Sequence, residues 1–306
     1  MIQRVTTCMV LATVAAISCG CGGKVVTGHQ ELPPAMRPVA KDATREELLD
    51  QYNQIARGTQ TLNATVELKP TAGSKYSGVI DEYHEVKAFL LAARPAQVRM
   101  IGQAPVVGTT VFDMASDGGT FRVSIPSKHK FLTGPVAAEK NSSKPIENLR
   151  PQHLLDALLW PEVRKEEASF VREFNDENAR YYVLTVLRGG YQTEVLREIW
   201  FDRADLHVAR LLTFGPKGVL QSDVQLSGWQ PLDANASQSA PSTPANGTSS
   251  FPRAIRIDRP HDDYKLDLQV TKIVLNEELP TDRFKLEQPA GSELVRVGDA
   301  TENKQP

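Results

Sequence analysis

The sequence predicts a mainly β protein: a curled antiparallel sheet whose concave, apolar face is filled by two helices. Three observations carry this. From Thr61 to Leu275, apolar and polar residues alternate in short runs bounded by Gly, Pro, Asn and Asp. Only two stretches have helical spacing instead, one before these runs and one among them. The runs number about eleven or twelve, and an antiparallel sheet of that size must curl or close to manage its edges.

The chain has 306 residues, with 35 Lys and Arg against 37 Asp and Glu. It has no basic stripe interleaved with aromatics, so nucleic acid is not an expected partner. Arg4 followed by the apolar run Val5 to Ser18 and then small residues marks residues 1–18 as an export signal, too short for a membrane span. Cys19 and Cys21 follow it, and Cys8 lies inside the removed segment, so no long-range disulfide is expected. Folding must rest on a hydrophobic core. Residues 19–41, with Gly22-Gly23, Pro33-Pro34 and Pro38, read as a flexible tether.

A single domain is expected over residues 42–297. Thr44 with Glu47 three residues on forms a capping box, and Leu48, Leu49, Tyr52, Ile55 and Ala56 place one apolar face on a helix that Gly58 ends. Thr61 to Lys69 is a strand, and Thr71-Ala72-Gly73-Ser74 is read as a turn into a long strand from Gly78 to Ala93. Gln97 to Gly102 and Thr109 to Ala115 flank a loop that carries Pro105-Val106-Val107-Gly108. A loop tip is normally polar, so Val106 and Val107 either fold back into the core or touch something apolar. Asp117-Gly118-Gly119 turns the chain into a strand with Phe121, Val123 and Ile125, and Pro126-Ser127 turns it again into Lys128 to Leu132.

Pro151 suits the first position of a second helix, with Leu154, Leu155, Leu158, Leu159 and Trp160 clustered until Pro161 stops it. The meander then resumes: Ser169 to Phe174, Tyr181 to Arg188, Thr193 to Phe201, Leu206 to Phe214 and Val219 to Trp229. Leu232 to Ser250 is low-complexity Ala, Ser, Asn and Pro, read as a loop within the domain. Phe251 to Ile257, Tyr264 to Leu275 and Arg283 to Leu286 read as closing strands, too small to bury a core alone. Residues 298–306 form a polar tail.

Two motifs carry a family resemblance. Ala16-Ile17-Ser18-Cys19-Gly20 resembles a bacterial lipobox, in which the cysteine is lipidated and becomes the new N-terminus; Cys21 is the second candidate. Ala104-Pro105-Val106-Val107-Gly108-Thr109-Thr110 resembles the Asn-Pro-Leu-Gly-Ser-Thr run of LolB, and Leu149-Arg150-Pro151-Gln152-His153-Leu154-Leu155 through Trp160-Pro161 resembles its following helix. By this resemblance the chain is similar to the bacterial lipoprotein-sorting family of LolA and LolB, closer to LolB, over roughly residues 42–290. The resemblance implies an incomplete β-barrel capped by helices, with acyl chains of a lipid or lipoprotein held in an apolar cavity. It implies a lipid anchor at Cys19 and an outer-membrane location facing the periplasm, with Gly20 rather than Asp after the cysteine. It also implies that Val106 and Val107 contact the membrane, and that a periplasmic carrier protein is a partner.

Within such a cavity the expected lining is Met100, Phe112, Met114 and Phe121 from the strands and Leu155, Leu158 and Trp160 from the helix. Plain core packing is the competing reading of each. A filled core would favour a structural or assembly lipoprotein that binds a protein partner through its surface. An exported hydrolase is the poorest reading: the six histidines are scattered, no HExxH or GxSxG occurs, and His261-Asp262-Asp263 reads as a solvated turn. Neither catalysis, a metal nor a cofactor is expected.

Overall fold

The computed structural model describes residues 39–74, 77–137, 148–176, 179–189, 193–232 and 250–297. The expected export signal, lipidated Cys19, most of the tether, the interior of the low-complexity loop and the tail lie outside them. The protein is mostly β, with two α-helices and a large unclosed sheet among the described residues.

Helix α1 (Arg45–Gly58) starts as its capping box requires. The Glu47 backbone N–H donates to Thr44 Oγ1 at 3.2 Å, and the Thr44 N–H donates to the Glu47 carboxylate at 2.7 Å. Two orphan N–H groups are thereby satisfied. Its buried face carries Leu48, Tyr52, Asn53 and Ala56. Helix α2 (Pro151–Leu158) has Pro151 in its first turn, where no N–H is missed, and buries Leu154, Leu155, Ala157 and Leu158.

The sheet is built outward from β1 (Thr61–Ser74). On one side lie β3 (Val86–Ala93), β4 (Gln97–Gln103), β5 (Thr110–Ser116), β6 (Thr120–Ile125) and β7 (Lys130–Pro135). On the other lie β14 (Tyr264–Leu275), β13 (Ser250–Arg259), β12 (Leu220–Pro231), β11 (Val208–Phe214), β10 (Glu194–Asp202), β9 (Arg180–Arg188) and β8 (Ala168–Asn175). Sequence neighbours therefore pair on each side, and the β1–β14 pairing joins the two halves. Among the described residues β8 pairs only with β9, so the sheet is curled but open. Helices α1 and α2 fill its concave face, where Leu48, Tyr52, Leu154 and Leu158 share one cluster with Val66, Leu90, Leu184 and Leu268.

Four expectations need correction. Thr71 to Ser74 is not a turn: β1 continues through it and pairs with a separate short strand, β2 (Val79–Glu82). The long strand expected over 78–93 is accordingly two strands, broken opposite Pro70, which has no N–H to offer a ladder. Arg283 to Leu286 is not a strand. A 3₁₀ turn at Thr281–Phe284 puts the Phe284 ring on the outer side of Leu91 and Ala93, and Arg99 holds the Arg283 carbonyl at 2.9 Å. The last strand is instead β15 (Glu293–Arg296), parallel to β7, and the described strands number fifteen.

Candidate functional site

The β4–β5 hairpin projects its apolar loop. Ala104 N–H donates to the Thr109 carbonyl at 2.9 Å and Gly108 N–H to the Ala104 carbonyl at 3.0 Å. Gly108 has a φ of 67°, the left-handed conformation that a side chain resists, which returns the chain to β5. Val106 and Val107 stand at the tip, 95% and 71% exposed. Below the tip the hairpin is braced on both faces. Arg99 forks onto both Asp113 carboxylate oxygens at 3.1 and 2.8 Å on the outer face. On the inner face the Phe112 ring lies over Gly102, its cross-strand partner.

The second feature is the seam between the helices and the sheet. Arg94, just past β3, donates from Nε to the Thr59 carbonyl at 2.9 Å and from Nη2 to the carbonyls of Ala56 at 2.8 Å and Trp160 at 2.7 Å. One guanidinium thus ties the C-terminal end of α1, where carbonyls lack intrahelical partners, to the segment just past α2. The buried Asn53 amide reinforces the junction, donating to the Val163 carbonyl at 3.0 Å and accepting from the Val163 N–H at 2.8 Å. Tyr52 stacks on Trp160 with ring centres 5.6 Å apart, and Trp160 meets Trp229 edge-on at 6.2 Å.

A cavity of about 10 Å³ remains at this seam, bordered by Ile55, Leu158, Trp160, Trp229, Ser250 and Phe251. That is space for about one water molecule. Of the residues expected to line an acyl cavity, only Leu158 and Trp160 border it. Met100 and Met114 face each other across β4 and β5, fully buried in the packed core, with Phe112 against its edge. Leu155 is buried in the same cluster. Phe121 is buried apart from it, beneath the Arg150 guanidinium at 4.5 Å.

A polar cluster that motif reading missed lies beside α2. The solvated-turn reading of His261-Asp262-Asp263 is wrong for Asp262, which is buried and accepts from Arg259 Nε at 2.7 Å. Arg259 in turn contacts His153 Nε2 at 3.2 Å, and His153 Nδ1 meets the Tyr264 hydroxyl. A guanidinium only donates, so Nε2 accepts and Nδ1 carries the proton toward the Tyr264 oxygen. Burial holds the His153 pKa well below its ordinary value, helped by the Arg259 and Arg150 charges. Burial pushes the Tyr264 phenol up. The signal for this cluster was helical phase: His153 is one position ahead of Leu154 and so lies at the edge of the buried face.

Among the described residues no group of three or more His, Cys, Asp or Glu is placed to hold a metal, and no helix is long and apolar enough to cross a membrane. No protein-family model and no curated protein matches the sequence. In structure the chain is similar to a LolA superfamily protein from Nitrosomonas europaea, with a TM-score of 0.47 and 12% identity over 80% of this chain and 99% of that one. It is similar at a TM-score of 0.46 to a DUF1329 family protein from Desulfovibrio piger, at 13% identity over 79% of this chain and 95% of that one. A domain provisionally described as an outer membrane lipoprotein-sorting protein, from Vibrio parahaemolyticus, gives 0.46 and 11% identity, covering 79% of this chain and 97% of that one.

Proposed function

We propose that this protein is a lipid-anchored envelope lipoprotein, held through Cys19 at the outer membrane facing the periplasm. In this reading it handles acyl chains of a lipid or lipoprotein and helps to localise them. The observation that carries the reading is the Val106–Val107 tip: two bulky apolar side chains exposed on a braced hairpin. Exposed apolar side chains on a stiff loop gain free energy by leaving water, at about 25 cal/mol per Å² buried. Lipid is a surface that accepts them without a shaped pocket. An acyl chain would be taken up when the helices part from the sheet at the Trp160–Trp229 seam, exposing Leu155, Leu158, Met100, Met114, Phe112 and Phe121 in turn. A periplasmic carrier would then deliver to, or receive from, this face.

The filled concave face favours a second reading, in which the core stays packed and the protein serves assembly by binding a protein partner through its surface. Two measurements separate them. In vesicle flotation with phosphatidylethanolamine and phosphatidylglycerol, a chain lacking the anchor should bind, and Val106→Glu with Val107→Glu should bind at least tenfold less at unchanged thermal stability. Equal flotation would return the valines to a role without lipid contact. Mass spectrometry of organic extracts of the purified protein should find stoichiometric lipid; extracts without it, together with no uptake of a fluorescent fatty acid, would favour the second reading.

A further inference from the structure

Asp205, His207 and Ser250 meet at the mouth of the seam cavity, although the last two are 43 residues apart. The turn after β10 sets the first two. Leu206 adopts a left-handed φ of 71° while its N–H bonds the Asp202 carbonyl at 2.7 Å, which folds Asp205 back onto His207. Both Asp205 carboxylate oxygens are then used on His207: Oδ1 accepts its backbone N–H at 2.8 Å, and Oδ2 lies 2.9 Å from ring Nδ1, off the axis of that N–H. The imidazole lies flat on the Trp229 indole, ring centres 4.7 Å apart at 13°, and Trp229 is itself pinned by its N–H to the Val208 carbonyl at 3.1 Å. Ring Nε2 consequently points at the Ser250 hydroxyl, 3.3 Å away. Ser250 opens β13 and borders the cavity with Leu158, Trp160 and Phe251.

We propose that Ser250, His207 and Asp205 form a hydrolytic triad for esters with a short acyl group. Such constellations are recognised by geometry and role rather than by surrounding motif, and here nucleophile, base and orienting carboxylate are each within reach of the next. His207 is partly open to solvent, so water and an alcohol leaving group have access. The cavity beside Ser250 is apolar and small, so a short acyl group is what it would admit. His207 Nε2 takes the hydroxyl proton as Ser250 Oγ bonds to the ester carbonyl carbon. The bond to the alcohol oxygen then breaks, and that oxygen takes the proton from His207. Water, deprotonated by His207, attacks the acyl-serine, the carbon–Oγ bond breaks and the proton returns to Ser250. One water is consumed, one acid and one alcohol are released, and nothing is oxidised or reduced. Asp205 is a positioning residue: its Oδ1 holds the His207 backbone N–H and its other oxygen lies beside the ring. General-base assistance is worth about 10² to 10⁴ in rate, so slow turnover is expected.

The test uses the full mature chain in detergent. A fluorophosphonate probe should add covalently at Ser250, mapped by peptide mass spectrometry, and p-nitrophenyl acetate should turn over at least tenfold faster than the octanoate. Ser250→Ala should abolish the adduct and cut acetate turnover about 100-fold or more, and His207→Gln should do the same. Ser250→Cys keeps the size of the side chain and should regain an acyl adduct even where Ser250→Ala proves unstable. Asp205→Asn should lower kcat for acetate with KM unchanged, and Asp205→Glu should recover part of the loss. A role confined to pinning β13 would leave no adduct and no such split between kcat and KM. Probe addition elsewhere, or equal acetate turnover by the wild type and by folded Ser250→Ala, would overturn the triad; equal turnover of acetate and octanoate would overturn the short-acyl assignment.

Discussion

The Arg94 guanidinium donates to the Trp160 carbonyl at 2.7 Å while the same nitrogen reaches Ala56 at 2.8 Å, so a residue of the sheet side ties the end of α1 to the segment that follows α2. Hydrogen bonds from charged groups contribute about 1.5–3 kcal/mol. Arg94→Met should therefore lower stability by about 2–3 kcal/mol in urea unfolding and raise the binding of an apolar fluorescent dye as the seam loosens. Arg94→Lys should recover only part of the loss, because an ammonium does not span the fork geometry. Wild-type stability in Arg94→Met would show that the helices are held by apolar packing alone.

Gly102 is glycine because Phe112 occupies the space above it. A Cβ at position 102 would overlap the ring's Cε1, Cζ and Cδ1 atoms. Forcing volume into a packed contact costs about 1–3 kcal/mol, and Gly102→Ala should show that loss. Phe112→Leu, itself destabilising, should make the second change nearly neutral, giving a measurable coupling in a double-mutant cycle. Additive effects would mean the ring moves aside without cost.

The Asn53 amide meets both the N–H and the carbonyl of Val163. Asn53→Ala leaves two buried backbone groups without those partners, at about 1–3 kcal/mol. Asn53→Asp should be at least as damaging, since a carboxylate facing the Val163 carbonyl can only accept. Chemical denaturation of both variants checks the order.

His153 makes stability depend on pH. Its folded pKa lies well below its ordinary value because it is buried between Arg259 and Tyr264. Above about pH 6.5 both folded and unfolded chains hold it neutral and it has no pH effect. Below that pH the unfolded chain binds a proton that the folded chain refuses, so stability falls as pH falls. His153→Gln keeps an acceptor for Arg259 and a donor for Tyr264, and its stability should fall less between pH 7.5 and 5.5. Parallel pH profiles for the two proteins would place the sensitivity elsewhere.

What the sequence determined by itself is the set of elements that local chemistry controls. The α1 capping box, the Pro151 start of α2, the period-two runs and the Pro105–Gly108 turn all involve residues within a few positions of one another. Their energetics are settled before any long-range contact forms. Only the tertiary structure decided the rest. Pro70 continues a strand because the break falls in its partner, and Phe284 leaves the sheet because its ring finds Leu91 across the outer face. Met100 and Met114 face each other inside the core because strand register pairs β4 with β5 there. His153, His207 and Ser250 gain their partners from residues 43 to more than 100 positions away, whereas Asp262 takes Arg259 from across its own turn. Spacing along a chain cannot express such proximity, because it arises from strand register and sheet curl, which depend on the whole core at once.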